Sequence, residues 1–66
     1  MFKDRLKQAR KSRNLTQQNL ADALDITLRT YQRYESGDTE PSLVALSQIA
    51  DILDVTTDYL LCRSVG

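Results

Sequence analysis

The 66-residue sequence has no histidine, no tryptophan and a single cysteine, Cys62. The lack of histidine excludes histidine-based catalytic triads and ordinary Cys/His zinc sites, and one cysteine cannot form an internal disulfide bond. With only two glycines, Gly37 and Gly66, the chain has no glycine-rich phosphate-binding loop. We therefore expect no catalytic residues, no metal and no cofactor, and predict that the protein is not an enzyme.

Long apolar runs are also missing. No stretch approaches the roughly 20 apolar residues that a membrane span needs, and the basic N-terminus lacks the apolar segment of a signal peptide. A domain of this size, held by its core rather than by disulfides, suits the reducing cytoplasm. We predict one cytoplasmic domain over residues 1–66 with no membrane partner, in which Cys62 fills a small apolar space or forms an intermolecular disulfide.

The charge is balanced overall but unevenly distributed. The chain carries nine Lys and Arg residues and nine Asp and Glu residues. Residues 1–33 hold eight of the basic residues and three of the acidic ones, whereas residues 34–66 hold one and six. Such asymmetry can give a neutral molecule a basic face, although charge alone favours a solvated surface of mixed charge.

Apolar residues recur at helical spacing and never in strict alternation, so the sequence predicts an all-α protein. A threonine follows an apolar residue three times, and another apolar residue comes four positions after that threonine. This pattern is typical of a capped helix start with a hydrophobic staple. With Ser42 as a fourth cap and Asn14 and Gly37 as helix ends, the predicted helices cover about 2–12, 17–24, 28–36, 43–53 and 57–62.

Only three residues separate Leu24 from Leu28, and so short a connection predicts the angle of a helix-turn-helix unit between helices two and three. If Tyr31 and Tyr34 face the core, the opposite side of helix three faces solvent. That side carries Leu28, Arg29, Gln32 and Arg33. Arginine can bind guanine in the major groove, glutamine can bind adenine, and an apolar group can contact a thymine methyl.

The order and spacing of several segments resemble the phage-repressor/Cro family of helix-turn-helix domains. The resemblance covers about residues 2–61. Its motifs are Leu15-Thr16-Gln17-Gln18-Asn19-Leu20-Ala21, Ile26-Thr27-Leu28-Arg29-Thr30-Tyr31, Arg33-Tyr34-Glu35-Ser36-Gly37, Glu40-Pro41-Ser42-Leu43 and Leu53-Asp54-Val55-Thr56-Thr57-Asp58-Tyr59-Leu60-Leu61. One departure is Asp25, where the family usually has glycine. A second is the apolar Leu28, where relatives often carry a polar residue that reads bases.

The resemblance implies a compact five-helix, lambda-repressor-like fold in which helices two and three contact DNA. It implies that Gln17 anchors the DNA backbone, and that Arg10 late in helix one pairs with Glu35 late in helix three. The DNA-binding residues expected from the motif are Gln17, Gln18, Thr27, Leu28, Arg29, Gln32 and Arg33. For Leu28, a thymine contact and packing of the helix start stay equally open.

The sequence thus predicts a double-stranded DNA-binding transcriptional regulator, a homodimer that acts as a repressor without a small-molecule ligand. A short last helix cannot bury all its faces, so Leu60, Leu61 and Val65 form a candidate dimer surface, with a capped monomer as the alternative. The alternative function is a protein-interaction module of the same fold that does not bind DNA.

Overall fold

The computed structural model describes residues 2–61 of the chain, and those residues form helices joined by short turns. The helices are α1 (Phe2–Ser12), α2 (Gln17–Leu24), α3 (Leu28–Ser36), α4 (Leu43–Leu53) and α5 (Thr57–Leu60). No strand occurs between residues 2 and 61, and the predicted all-α, five-helix fold class is confirmed. Helix α5 ends at Leu60 and not at residue 62, which lies outside the described range.

Hydroxyl side chains fix where four of the helices begin. Thr16, Thr27, Ser42 and Thr56 each have an extended backbone and accept a hydrogen bond from the backbone N–H three residues later. At α2 the bonding is reciprocal, because Asn19 Oδ1 also accepts from the Thr16 N–H at 2.9 Å. Each cap satisfies a backbone donor that has no partner within its helix.

Left-handed residues follow the ends of α1, α2, α3 and α4. Asn14, Asp25 and Asp54 have φ of 58°, 57° and 56°, and Gly37 has φ of 87°. Aspartate and asparagine tolerate this conformation better than most residues because their short polar side chains can bond locally. Gly37 adopts it without the steric cost of a Cβ, and the Lys3 side chain lies over this position.

The core is built from side chains of all five helices. Helix α2 packs against α3 and α4, while α1 packs against α3 and α5. The buried apolar side chains are Leu6, Ala9, Leu20, Ala21, Leu24, Tyr31, Tyr34, Leu46, Ile49, Ala50, Leu53 and Leu60. No helix in the described part of the chain is both long enough and apolar enough to cross a bilayer.

Two leucines lie elsewhere than the apolar pattern indicates. The helical spacing of Leu43, Leu46, Ile49, Ala50 and Leu53 predicts one apolar stripe on α4, yet Leu43 is 81% exposed because the core contacts start one turn later, at Leu46. Leu60 is 0% exposed, so the prediction that it belongs to a dimer surface is wrong. It lies four residues after the Thr56 cap, where a helix start turns an apolar side chain towards the core.

Replacement of Asp25 by glycine is expected to stabilise the turn between α2 and α3. The left-handed backbone costs an L-residue roughly 1–2 kcal/mol, which exceeds the ~0.5–1 kcal/mol of extra chain entropy that glycine loses. Asp25→Gly should therefore raise the free energy of unfolding by up to about 1 kcal/mol in urea denaturation. Ala23→Gly, on the exposed side of α2, is the control and should lower it by about 1 kcal/mol. Equal losses for both variants would contradict a strained turn.

Candidate nucleic-acid interface

The turn between α2 and α3 is held rigidly by backbone hydrogen bonds. The N–H of Asp25 donates to the Asp22 carbonyl at 3.2 Å, and the N–H of Ile26 donates to the Ala21 carbonyl at 3.0 Å. Ile26 also packs against the core, so the turn is closed from inside. These hydrogen bonds and the packing of Ile26 therefore fix the orientation of α3 relative to α2.

Helix α3 has one outward stripe and one inward stripe. Arg29, Gln32 and Arg33 are exposed at helical spacing, with Ser36 continuing the same line. Within residues 2–61, neither the Arg29 nor the Arg33 guanidinium forms an ion pair or a hydrogen bond with another side chain. This outward stripe presents two free cationic groups and one amide to solvent.

The inward stripe is made by two tyrosines and a glutamate. Tyr31 is 0% exposed and Tyr34 is 8% exposed, and their rings meet edge-to-face with centroids 6.3 Å apart. Both aromatic side chains belong to the core, as the amphipathic pattern predicts, so they offer no platform for stacking bases. Their burial fixes the rotation of α3 and thereby turns the arginines outward.

Glu35 carries a buried carboxylate that is paired with Arg10 across the core. The Arg10 Nε atom lies 2.6 Å from Glu35 Oε2, and Nη2 lies 3.2 Å from Oε1, so the contact is bidentate. The two side chains are 11% and 2% exposed. A third arginine donor reaches the carbonyl of Leu15 at 2.8 Å, which ties α1 to the segment that precedes α2.

Two further donors reach the same carboxylate. The Tyr31 hydroxyl donates to Oε2 at 2.5 Å, and Gln17 Nε2 donates to Oε1 at 3.1 Å. Burial raises the pKa of the Glu35 carboxyl, but the hydrogen bonds from Arg10, Tyr31 and Gln17 outweigh burial and hold that pKa below its ordinary value. Burial also raises the pKa of the Tyr31 hydroxyl far above its ordinary value, so this group stays a proton donor.

The glutamine at the start of α2 connects this buried pair to the outward stripe. Gln17 is half-buried, and its Oε1 atom accepts a hydrogen bond from Gln32 Nε2 at 3.3 Å. Sequence reasoning gave Gln17 only a contact to DNA and did not find either glutamine bond. Because the partners are 15 and 18 residues away in the chain, no local pattern signals these contacts.

The remaining predicted interface residues lie in the first turn of α2 and at the start of α3. Gln18 is exposed and donates to Asp22 Oδ1 at 2.9 Å, one turn further along α2. Thr27 is exposed, and its hydroxyl caps α3 and lies 2.9 Å from the Thr30 hydroxyl. Leu28 is half-buried and does not belong to the side chains packed on the core in the described part of the chain.

Of the three residues predicted to form a dimer surface, one is exposed within residues 2–61. Leu61 is 38% exposed, whereas Leu60 is buried and Val65 lies outside the described residues. Exposed apolar side chains that the sequence pattern did not reveal are Leu43, Val44 and Tyr59, at 81%, 70% and 39%. Tyr59 is also bound by α1, since the Arg5 guanidinium lies 4.7 Å from its ring centroid.

Helices α2 and α3 are joined by a three-residue turn, and the second of them exposes two arginines. This is the arrangement of a helix-turn-helix domain. Accordingly, the family profile described as "Helix-turn-helix" matches residues 6–60 of the chain. The chain belongs to this helix-turn-helix family, whose members are DNA-binding regulators rather than enzymes.

Several bacterial regulators are similar to the chain. It is 52% identical over 61 residues to the uncharacterised HTH-type transcriptional regulator YqaE of Bacillus subtilis, which covers 92% of the chain and 53% of YqaE. It is 50% identical over 60 residues to the HTH-type transcriptional regulator AnsR of Bacillus subtilis, covering 91% of the chain and 52% of AnsR. It is 43% identical over 62 residues to the cryptic phage CTXphi transcriptional repressor RstR of Vibrio cholerae, covering 94% of the chain and 55% of RstR.

The chain spans about half the length of these relatives. No solved structure gave a significant match.

Removal of the Glu35 carboxylate is expected to destabilise the fold severely. Glu35→Ala leaves the buried Arg10 charge, the buried Tyr31 hydroxyl and the half-buried Gln17 amide without their acceptor. Such a change costs about 3–5 kcal/mol. For a domain of this size, that loss lowers the melting temperature by roughly 12 °C or more. Circular dichroism melting measures it directly.

The matched control is the exposed pair between Arg13 and Asp54, whose charged atoms lie 3.7 Å apart with side chains 50% and 81% exposed. Arg13→Ala should change stability by about 1 kcal/mol or less, because exposed pairs are screened by water. A small, equal shift for Glu35→Ala and Arg13→Ala would contradict the assigned role of the buried pair.

The contribution of Glu35 should also disappear in acid. Because its folded pKa lies below its unfolded value of about 4.3, the carboxylate stabilises the fold above that pH and loses this effect as pH falls through the folded pKa. The difference in unfolding free energy between the wild type and Glu35→Gln should be constant near neutral pH and shrink below about pH 4.3. A difference that is independent of pH down to pH 2 would count against this linkage.

Proposed function

We propose that the domain binds double-stranded DNA in a sequence-specific manner and regulates transcription, with α3 lying in the major groove. The observation that carries this proposal is the outward stripe of α3, where Arg29 and Arg33 are exposed and free of carboxylate partners within residues 2–61. Free guanidiniums at helical spacing match the paired acceptors on the major-groove edge of guanine.

Phosphate contacts are assigned to the first turn of α2. The amide nitrogen of Gln17 has two hydrogens and donates one to Glu35, which leaves the other for a phosphate oxygen. Gln18 and Thr27 are also exposed and are proposed to contact phosphates, since contacts of this kind position a protein without reading sequence. Lys7 and Lys11 on α1, and Arg13 just after it, are exposed and add a general positive rim.

Leu28 is proposed to contact a thymine methyl group rather than to support the helix start. It lies at the first residue of α3, is only half-buried, and stands outside the set of side chains packed on the core. An apolar side chain in that place gains contact area when it meets a methyl group in the groove.

The active form is proposed to be a homodimer that represses transcription by occupying its operator in the bacterial cytoplasm. One recognition helix contacts only a few base pairs, so two half-sites about one helical turn apart are needed for specificity. The exposed Leu61 supports a contact between subunits through α5. The relative RstR is named a transcriptional repressor, which supports repression here.

A protein-interaction module of the same fold is the second candidate. The exposed apolar side chains of Leu43 and Val44 at the start of α4 favour it, because such groups are common in protein interfaces. Mobility of random genomic duplex at low salt separates the two candidates. A DNA-binding domain retards the duplex at low salt, and log affinity falls linearly as log salt rises. An interaction module leaves its mobility unchanged.

Arg33→Ala is expected to relax base preference at one position of a site selected from a random duplex library. Loss of a bidentate arginine contact should reduce discrimination there by about 5- to 150-fold, the equivalent of roughly 1–3 kcal/mol. Arg13→Ala is the control, and any loss of affinity it causes should be the same for every sequence. An equal loss across all sequences for Arg33→Ala would contradict base reading by α3.

A further inference from the structure

Three side chains form one chain of hydrogen bonds from the core to the outward stripe of α3. Glu35 Oε1 accepts from Gln17 Nε2 at 3.1 Å, and Gln17 Oε1 accepts from Gln32 Nε2 at 3.3 Å. Glu35 is 5% exposed, Gln17 is half-buried and Gln32 is exposed. The bonds therefore lead from a buried carboxylate to a side chain that meets solvent.

The direction of every bond in this chain is set by its buried end. An ionised carboxylate can only accept hydrogen bonds, so the Gln17 amide must turn its NH2 group towards Glu35. Its carbonyl oxygen then points the other way, towards α3. That oxygen can only accept, so Gln32 must in turn present its NH2 group to Gln17.

The carboxylate that starts the chain cannot readily reverse its role. It is bound by Arg10 through two contacts and by the Tyr31 hydroxyl, which keeps it ionised and fixed in place. A glutamine on a bare helix surface can rotate its amide by 180° and exchange donor for acceptor at little cost. Gln32 loses its bond to Gln17 if it does so, and two carbonyl oxygens then face each other.

We infer that Gln32 is a specificity-determining residue for adenine, because the Glu35–Gln17–Gln32 hydrogen-bond chain holds its amide in one orientation. One N–H is consumed by Gln17, which leaves a carbonyl acceptor and one donor. Adenine offers a donor at N6 and an acceptor at N7, the complement of this pair. Guanine offers two acceptors and thymine a lone acceptor, so the fixed carbonyl opposes both. Gln17 acts here as a positioning residue.

This inference rests on the proposed function, and the test separates the two. Sites bound by the wild type are selected from a random duplex library and sequenced, and relative affinities are then measured for the four bases at each position. The position read by Gln32 is the one at which Gln32→Met abolishes the preference. Adenine is expected there, favoured over guanine and thymine by roughly three- to ten-fold, the effect of one net hydrogen bond.

Gln17→Met is the decisive variant, because methionine has a similar shape but neither accepts from Gln32 nor donates to Glu35. Two separate effects are expected: a loss of affinity shared by all sequences, from the missing phosphate contact, and a three- to ten-fold loss of adenine selectivity at the Gln32 position alone. Gln17→Asn, which is too short to span the gap, should reproduce the second effect. Melting curves establish that each variant is folded.

Gln48→Met is the matched control, since it makes the same change at an exposed position of α4 and should leave affinity and selectivity unchanged. If Gln17→Met and Gln17→Asn lower affinity but keep the adenine preference, the orientation mechanism is wrong while DNA binding stands. A preference for guanine, thymine or cytosine at the Gln32 position, or no effect of Gln32→Met at any position, also overturns it. Failure of the wild type to bind any duplex overturns both this inference and the proposed function.

Discussion

The buried carboxylate of Glu35 is the interaction on which the rest of the domain depends. Its four hydrogen bonds come from Arg10 on α1, Gln17 on α2 and Tyr31 on α3, so one group joins three helices. A carboxylate taken out of water is tolerated only when its oxygens are saturated in this way. The same saturation fixes the rotation of α3, and with it the direction in which Arg29 and Arg33 project.

One polar cluster in a small core therefore fixes both the packing of three helices and the direction of the exposed side chains of α3. A 66-residue chain has little apolar surface to bury, and a buried ion pair adds little net stability compared with apolar packing. Its value lies in specificity, since misplacement of any of the three helices leaves a charge or a donor unpaired. The exposed side of α3 is held in a defined orientation before any ligand arrives, which lowers the ordering cost of binding.

Much of the fold could be predicted from the sequence because its helix boundaries are encoded locally. Thr16, Thr27, Ser42 and Thr56 cap the residues that follow them, and the pattern depends on neighbours only four positions away. The placement of Tyr31 inside the core likewise follows from helical periodicity. The features that local patterns did not predict depend on contacts between helices. The bonds of Gln17 to Glu35 and Gln32 join separate helices, and Leu43 is exposed because nothing within residues 2–61 packs over it.

The central claim is that the outward stripe of α3 enters a groove of duplex DNA. Titration of the isotope-labelled domain with a duplex selected by it, followed by backbone and side-chain NMR, tests this most directly. The account predicts that the largest shifts and intermolecular contacts occur at Arg29, Gln32 and Arg33 and in the first turn of α2. Perturbations confined to Leu43, Val44 and α5, with α3 unaffected, would contradict it.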